Sequence, residues 1–176
     1  NRPDHLKVLI DRLREVQPTK IYFAVDGPHE GNEAEKHKVT ECQEMVSDIN
    51  WECEITTNFQ KSNLGCGLGV STAITWFFDN EEHGIILEDD ILPDLSFFSF
   101  CEELLDRYEN DSHVFAISGC NFVPPEEIST PAAYRFSQVP HIWGWATWRN
   151  RWQQYNLDIA GWRKDLPLTK LWAKSG

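Results

Sequence analysis

Over residues 4–16 the apolar positions Leu6, Leu9, Ile10, Leu13 and Val16 recur three and four residues apart. That spacing lines one face of an amphipathic helix, with Asp4 placed as its N-cap. Residues 20–25 form a short, mostly apolar run that stops at Asp26-Gly27-Pro28, the pattern of a buried strand ending in a turn. Over 33–49, Val39, Cys42, Met45, Val46 and Ile49 share a helical face, and Cys53, Ile55, Thr57 and Phe59 then alternate as a strand does. A Gly-rich loop, Asn63-Leu64-Gly65-Cys66-Gly67, opens a helix carrying Val70, Ala73, Ile74, Phe77 and Phe78. The run Gly84-Ile85-Ile86-Leu87 predicts a strand leading directly into Glu88-Asp89-Asp90. A helix bearing Phe97, Cys101, Leu104, Leu105 and Tyr108 follows, then a strand over 113–118.

Strands that alternate with helices in this way predict an α/β fold, a mostly parallel, Rossmann-like sheet with helices on both faces. Ligands in such sheets bind outside the carboxyl ends of the strands. Residues 119–133 contain Pro124, Pro125 and Pro131 and read as an exposed loop. Beyond it Trp145, Trp148, Trp152 and Tyr155 are spaced by three, four and three, which predicts a helix with an aromatic core face. Trp143 and His141 precede that helix, where they could line a cleft.

The 176 residues suit a single domain, and no apolar run approaches the roughly 20 residues of a membrane span. Sixteen basic residues stand against 28 acidic ones, a net charge of −12, and no Lys/Arg cluster offers a nucleic-acid footprint. An anionic ligand would therefore need a metal or a few placed cations to offset the field. Five scattered cysteines without a CxxC pair read as reduced thiols, placing the chain in the cytoplasm, with a peripheral membrane association left open.

The densest chemical signal is Glu88-Asp89-Asp90 at the end of an apolar strand. Carboxylates there are costly without a compensating cation, and oxygen-only ligands favour Mg²⁺ or Mn²⁺. The alternative is that these acids cap the following helix or face solvent. Asp26 holds the equivalent place on an earlier strand, where it could accept hydrogen bonds from a base or ribose, or serve only the turn. Lys61, beside the Gly-rich loop, could approach a diphosphate; the loop itself matches neither GxGxxG nor a P-loop. Trp143 suits stacking on a sugar ring, and His141 can ligate a metal or act as a base.

These residues together resemble the nucleotide-sugar glycosyltransferases of the GT-A fold, of the bacterial hemolysin-related type, with a more distant likeness to N-acetylglucosaminyltransferase I. The motifs carrying the resemblance are Asn1-Arg2-Pro3-Asp4-His5-Leu6, Val25-Asp26-Gly27, Asn63-Leu64-Gly65, Gly84 to Asp90 with Phe97-Phe98, and His141 to Arg149, in family order over nearly the whole chain. The resemblance implies a metal-dependent transferase acting on a UDP-sugar donor and a glycan or other hydroxyl acceptor. By it, Asp90 would hold Mn²⁺ or Mg²⁺, for which His141 is the further candidate ligand by its chemistry, and Glu88 and Asp89 would touch ribose or donor sugar. Asp26 would recognise uracil, Arg2 would lie near the phosphates, and Trp143, Gly144 and Trp145 would line the substrate site.

Two departures accompany the resemblance. The family places a strand before the Asn-Arg-Pro turn and continues well past this length, so the chain is expected to be one GT-A-like domain truncated at both ends. The acceptor's carboxylate base comes soon after the Trp-rich segment in the family; Asp165 is the nearest positional candidate, with Asp158 behind it. Two rival functions remain open at this point: a Mg²⁺-dependent phosphohydrolase using the same acids, and a non-catalytic carbohydrate-binding module using the tryptophans.

Overall fold

The computed structural model describes residues 1–123 and 133–158. Helix α1 (Pro3–Val16) begins with a proline, whose fixed φ and missing N–H suit a first helical turn. Arg2, not Asp4, is the N-cap residue. Its side chain makes no capping bond, and Asp4 lies in the first turn, where its charge complements the helix dipole. Strand β1 (Lys20–Val25), helix α2 (Glu33–Glu44) and strand β2 (Glu54–Phe59) follow. The helix expected to reach residue 49 ends its α-helical part at Glu44 and continues as a 3-10 turn, Met45–Asp48. Its start is capped by Asn32, which accepts the Glu35 N–H at 3.1 Å.

β1 and β2 are parallel, with Phe23 opposite Thr57 and Val25 opposite Phe59. The first core forms where α1 and α2 cover them, through Ile10, Phe23, Val25, Val39, Cys42 and Ile49. Helix α3 (Cys66–Asn80) then leads to strand β3 (His83–Ile86), and helix α4 (Leu95–Arg107) to a two-residue strand β4 (Ile117–Ser118). Glu81, ahead of β3, accepts Lys20 Nζ and the Tyr22 hydroxyl, both at 2.8 Å, which ties β1 to the approach of β3.

The Trp-rich segment departs from expectation. Trp145–Trp148 is strand β5, and only Arg149–Trp152 is a short helix, α5. β5 lies between β3 and β4 and is antiparallel to both, with Ile86 opposite Trp145 and Ile117 opposite Ala146. Among the described residues parallel pairing is confined to β1 and β2, and the mixed α/β structure carries a second, antiparallel sheet beside it, so the mostly parallel sheet expected is not what these residues form. Alternation along β5 explains why the strand prevails: Ala146 and Trp148 enter the core under α4, while Trp145 faces the Trp152 ring, 6.2 Å between centroids. The Trp148 indole N–H also donates to the Leu105 carbonyl at 3.2 Å, and the Thr147 hydroxyl to the Phe115 carbonyl at 2.7 Å. Helices do cover both faces of this sheet, since α4 packs on the Ile85 side and Phe77 of α3 reaches Gly84 from the other. The strand expected over 113–118 is reduced to β4.

All five cysteines are free thiols. No helix among the described residues is long and apolar enough to cross a membrane.

Candidate functional site

β3 ends at Ile86, and Glu88, Asp89 and Asp90 form the turn that follows, closed by the Ile91 N–H on the Glu88 carbonyl at 3.1 Å. Asp94 then caps α4 by accepting the Ser96 N–H at 2.9 Å. The helix cap is therefore Asp94, so the three preceding acids are not needed for it. Arg2 meets them from the start of α1. Its Nε donates to Asp89 Oδ2 at 3.0 Å, its Nη2 to Asp89 Oδ1, and its Nη1 to Asp90 Oδ2 at 2.9 Å. This forked pairing raises the guanidinium pKa, chiefly through the Asp89 bond.

Glu88 has the opposite situation. No hydrogen bond or ion pair reaches its carboxylate among the described residues, and its pKa is raised, first by burial and then by the charges of Asp90 and Asp89. A carboxylate without a partner beside two others is a position that gains from a cation.

Arg2 is held by its backbone. The His5 and Leu6 N–H groups both donate to its carbonyl at 3.1 Å, and the neighbouring Asn1 amide donates to Glu35 at 2.6 Å. Glu35 also accepts the His29 backbone N–H at 2.9 Å and contacts the His29 ring at 2.8 Å. These bonds, the His29 N–H foremost, hold its carboxyl down to about 2. The loop after β1 and the residue carrying the guanidinium are thereby fixed to each other.

Asp26, at the end of β1, turns onto the Gly-rich loop. Its Oδ1 accepts the N–H of Gly27 at 2.8 Å and of Leu64 at 3.0 Å, and its Oδ2 the Leu64 N–H at 3.1 Å. The Asn63 amide donates to the Gly27 carbonyl at 3.0 Å. A side chain at Gly27 would collide with the Ser62 backbone, 2.4 Å from its Cβ, so only glycine allows this approach. Turn chemistry accounts for these bonds, and Oδ2 keeps acceptor capacity beyond them. Lys61 in the same loop is exposed and makes no hydrogen bond or ion pair among the described residues.

The third part comes from the segment before β5. Gly144 has φ +73°, and a Cβ there would lie 3.3 Å from Ile91 and 3.6 Å from Leu87. Its buried, left-handed backbone therefore passes directly beside the carboxylate turn. Just upstream, the His141 and Trp143 rings both meet Phe122 edge-on, with centroids 4.7 and 5.4 Å apart. Ser118 Oγ donates to the His141 carbonyl at 2.8 Å, and Cys120 Sγ to that of Trp143 at 3.0 Å. Phe122 and Trp143 are each 58% exposed. Sequence patterns missed Phe122, whose only signal was an aromatic residue at the edge of a Pro-rich loop. Trp145, one of the expected substrate residues, has its ring 6.2 Å from that of Trp152.

Among the described residues no three His, Cys, Asp or Glu side chains converge into a ready-made metal cage, and His141 is not brought into one with the acids. Mg²⁺-type sites use one or two carboxylates plus substrate phosphates, and a donor set of hard oxygens with Glu88 and Asp90 Oδ1 unengaged fits that pattern. Hollows of about 220 and 350 Å³ lie along α3 and the α5 end, lined by Thr75, Asp79 and Tyr155, and include none of the candidate residues. The carboxylates lie outside both hollows, Glu88 and Asp89 half-buried and Asp90 exposed. Asp158 is exposed, and Asp165 lies outside the described residues. No family model, curated protein or solved structure matches the chain.

Proposed function

We propose that this chain is a metal-dependent glycosyltransferase moving a sugar from a UDP-sugar to a hydroxyl acceptor, with Mn²⁺ or Mg²⁺ as cofactor. The observation that carries this reading is the carboxylate turn after β3, where Arg2 bonds to Asp89 and Asp90 while Glu88 makes no hydrogen bond or ion pair among the described residues. The resemblance supplies the substrate class.

Asp90 and Glu88 would hold the divalent ion, which when bound offsets the charge of the diphosphate and stabilises its departure. Arg2 and the unpaired Lys61 offer cations to the same phosphates, and the fixed loop joining Asp26 to Leu64 shapes the nucleotide side. Trp143 and Phe122 present exposed ring faces on which a sugar can pack, close to the carboxylate turn through Gly144. In direct displacement the acceptor oxygen bonds to the anomeric carbon as the bond from that carbon to the β-phosphate oxygen breaks. A carboxylate takes the hydroxyl proton, and Asp165 is the positional candidate for it. Incubation with a panel of UDP-sugars and Mn²⁺ tests the activity. Release of UDP that requires both the ion and an intact Asp90 supports it, and metal-independent sugar binding without turnover favours a carbohydrate-binding module resting on the exposed Phe122 and Trp143 rings.

A further inference from the structure

We infer that Arg2 is a resident counter-ion of the carboxylate turn, one that competes with a divalent ion for Asp90, and that a diphosphate is what draws it away. The inference rests on the proposed metal-dependent function and adds to it a coupling between two ligands.

The geometry has three relevant features. Arg2 occupies both oxygens of Asp89 and one oxygen of Asp90, so a divalent ion approaching Asp90 meets a fixed positive charge first. The Arg2 backbone is anchored by His5, Leu6 and the Asn1–Glu35 bond, while its side chain is 45% exposed and held only by the carboxylates of the turn. The pair with Asp90 is itself 42% exposed on the acid side, so it is an ion pair of the weak, solvent-screened kind that exchanges readily. A guanidinium fork matches a phosphate as well as it matches a carboxylate.

In the free protein the turn is therefore neutralised in part by the chain itself, and a divalent ion alone competes poorly. When a nucleoside diphosphate is present, Arg2 has an alternative anionic partner and Asp90 is released. Ion and diphosphate then bind with positive coupling, each raising the affinity for the other by the same factor.

The test is MnCl₂ binding followed by electron paramagnetic resonance, alone and with saturating UDP, for the wild type and Arg2→Gln. Expected is Mn²⁺ binding roughly three- to tenfold tighter in the variant than in the wild type when UDP is absent, with a smaller enhancement by UDP. Equal or weaker Mn²⁺ binding by a folded Arg2→Gln protein overturns the inference while leaving the metal reading intact. Absence of Mn²⁺ binding by the wild type even with UDP overturns both. A second measurement needs no variant: in the wild type, the Arg2 Nε–H resonance should shift on adding MgCl₂ with UDP. An Arg2 resonance unmoved while Mg²⁺ and UDP bind contradicts the exchange.

Discussion

Both carboxylate oxygens of Asp26 accept the backbone N–H of Leu64, at 3.0 and 3.1 Å, so the end of β1 and the loop entering α3 are held as one unit. Replacing Asp26 with alanine removes these bonds and the one from Gly27, leaving two N–H groups without a protein partner. The expected cost is about 1–3 kcal/mol of stability, with weaker uridine binding in the absence of metal. Asp26→Asn, which keeps one acceptor oxygen, should lose less. Thermal melting and uridine titration check this; an Asp26→Ala protein with unchanged melting temperature would contradict the clamp, and equal losses for UDP and pyrophosphate would contradict base recognition.

Asp90→Ala should abolish the metal dependence of UDP binding and leave the melting temperature nearly unchanged. Among the described residues its side chain pairs only with the exposed Arg2, and such pairs contribute at most about 1 kcal/mol. Titrating UDP with and without Mn²⁺ on the variant measures it, and a retained Mn²⁺ effect would remove Asp90 from the metal site.

Glu88 gives a pH signature of definite sign. Its folded pKa lies above the usual 4.5, so its contribution favours the fold below that value and is lost as pH rises through the folded pKa, where the half-buried carboxylate ionises. In metal-free buffer Glu88→Gln should therefore melt higher than the wild type at neutral pH, the difference closing below pH about 4, and Mn²⁺ with UDP should narrow it. Melting curves across pH decide the matter; a Glu88→Gln protein less stable than wild type at neutral pH would mean the carboxylate has a compensating partner.

Two tryptophans should separate cleanly. Trp143 is 58% exposed, so Trp143→Ala should keep the fold and UDP affinity but reduce sugar transfer. Trp148 is 3% exposed, donates to Leu105, and lies 4.5 Å from the Arg151 guanidinium, so Trp148→Ala should cost about 3–5 kcal/mol. Melting and transfer assays on both variants read this out. Equal destabilisation would place Trp143 in the core and end its role in sugar stacking.

Short-range patterns were legible in the sequence, and long-range pairings were not. The apolar spacing of Leu6 to Val16 and of Phe97 to Tyr108 marks α1 and α4 because a helix repeats locally. The three-four-three spacing of Trp145, Trp148, Trp152 and Tyr155 fits a helix equally well on paper, yet residues 145–148 find hydrogen-bonding partners on both sides, in β3 and β4, that no local pattern announces. At the site, the placement of Glu88-Asp89-Asp90 after a strand and of the Gly-rich loop before α3 follows from order along the chain. The Arg2 pairing with Asp89 and Asp90, the clasp of Asp26 on Leu64 and the ring cluster around Phe122 are tertiary contacts, visible only once the chain is folded.

Calorimetric titration of UDP into the protein, with and without Mn²⁺, addresses the central claim most directly. The account predicts binding that strengthens at least tenfold when Mn²⁺ is present, as a cation shared between diphosphate and carboxylates requires. Identical UDP affinity in Mn²⁺ and in chelator, or no UDP binding in either, would contradict it.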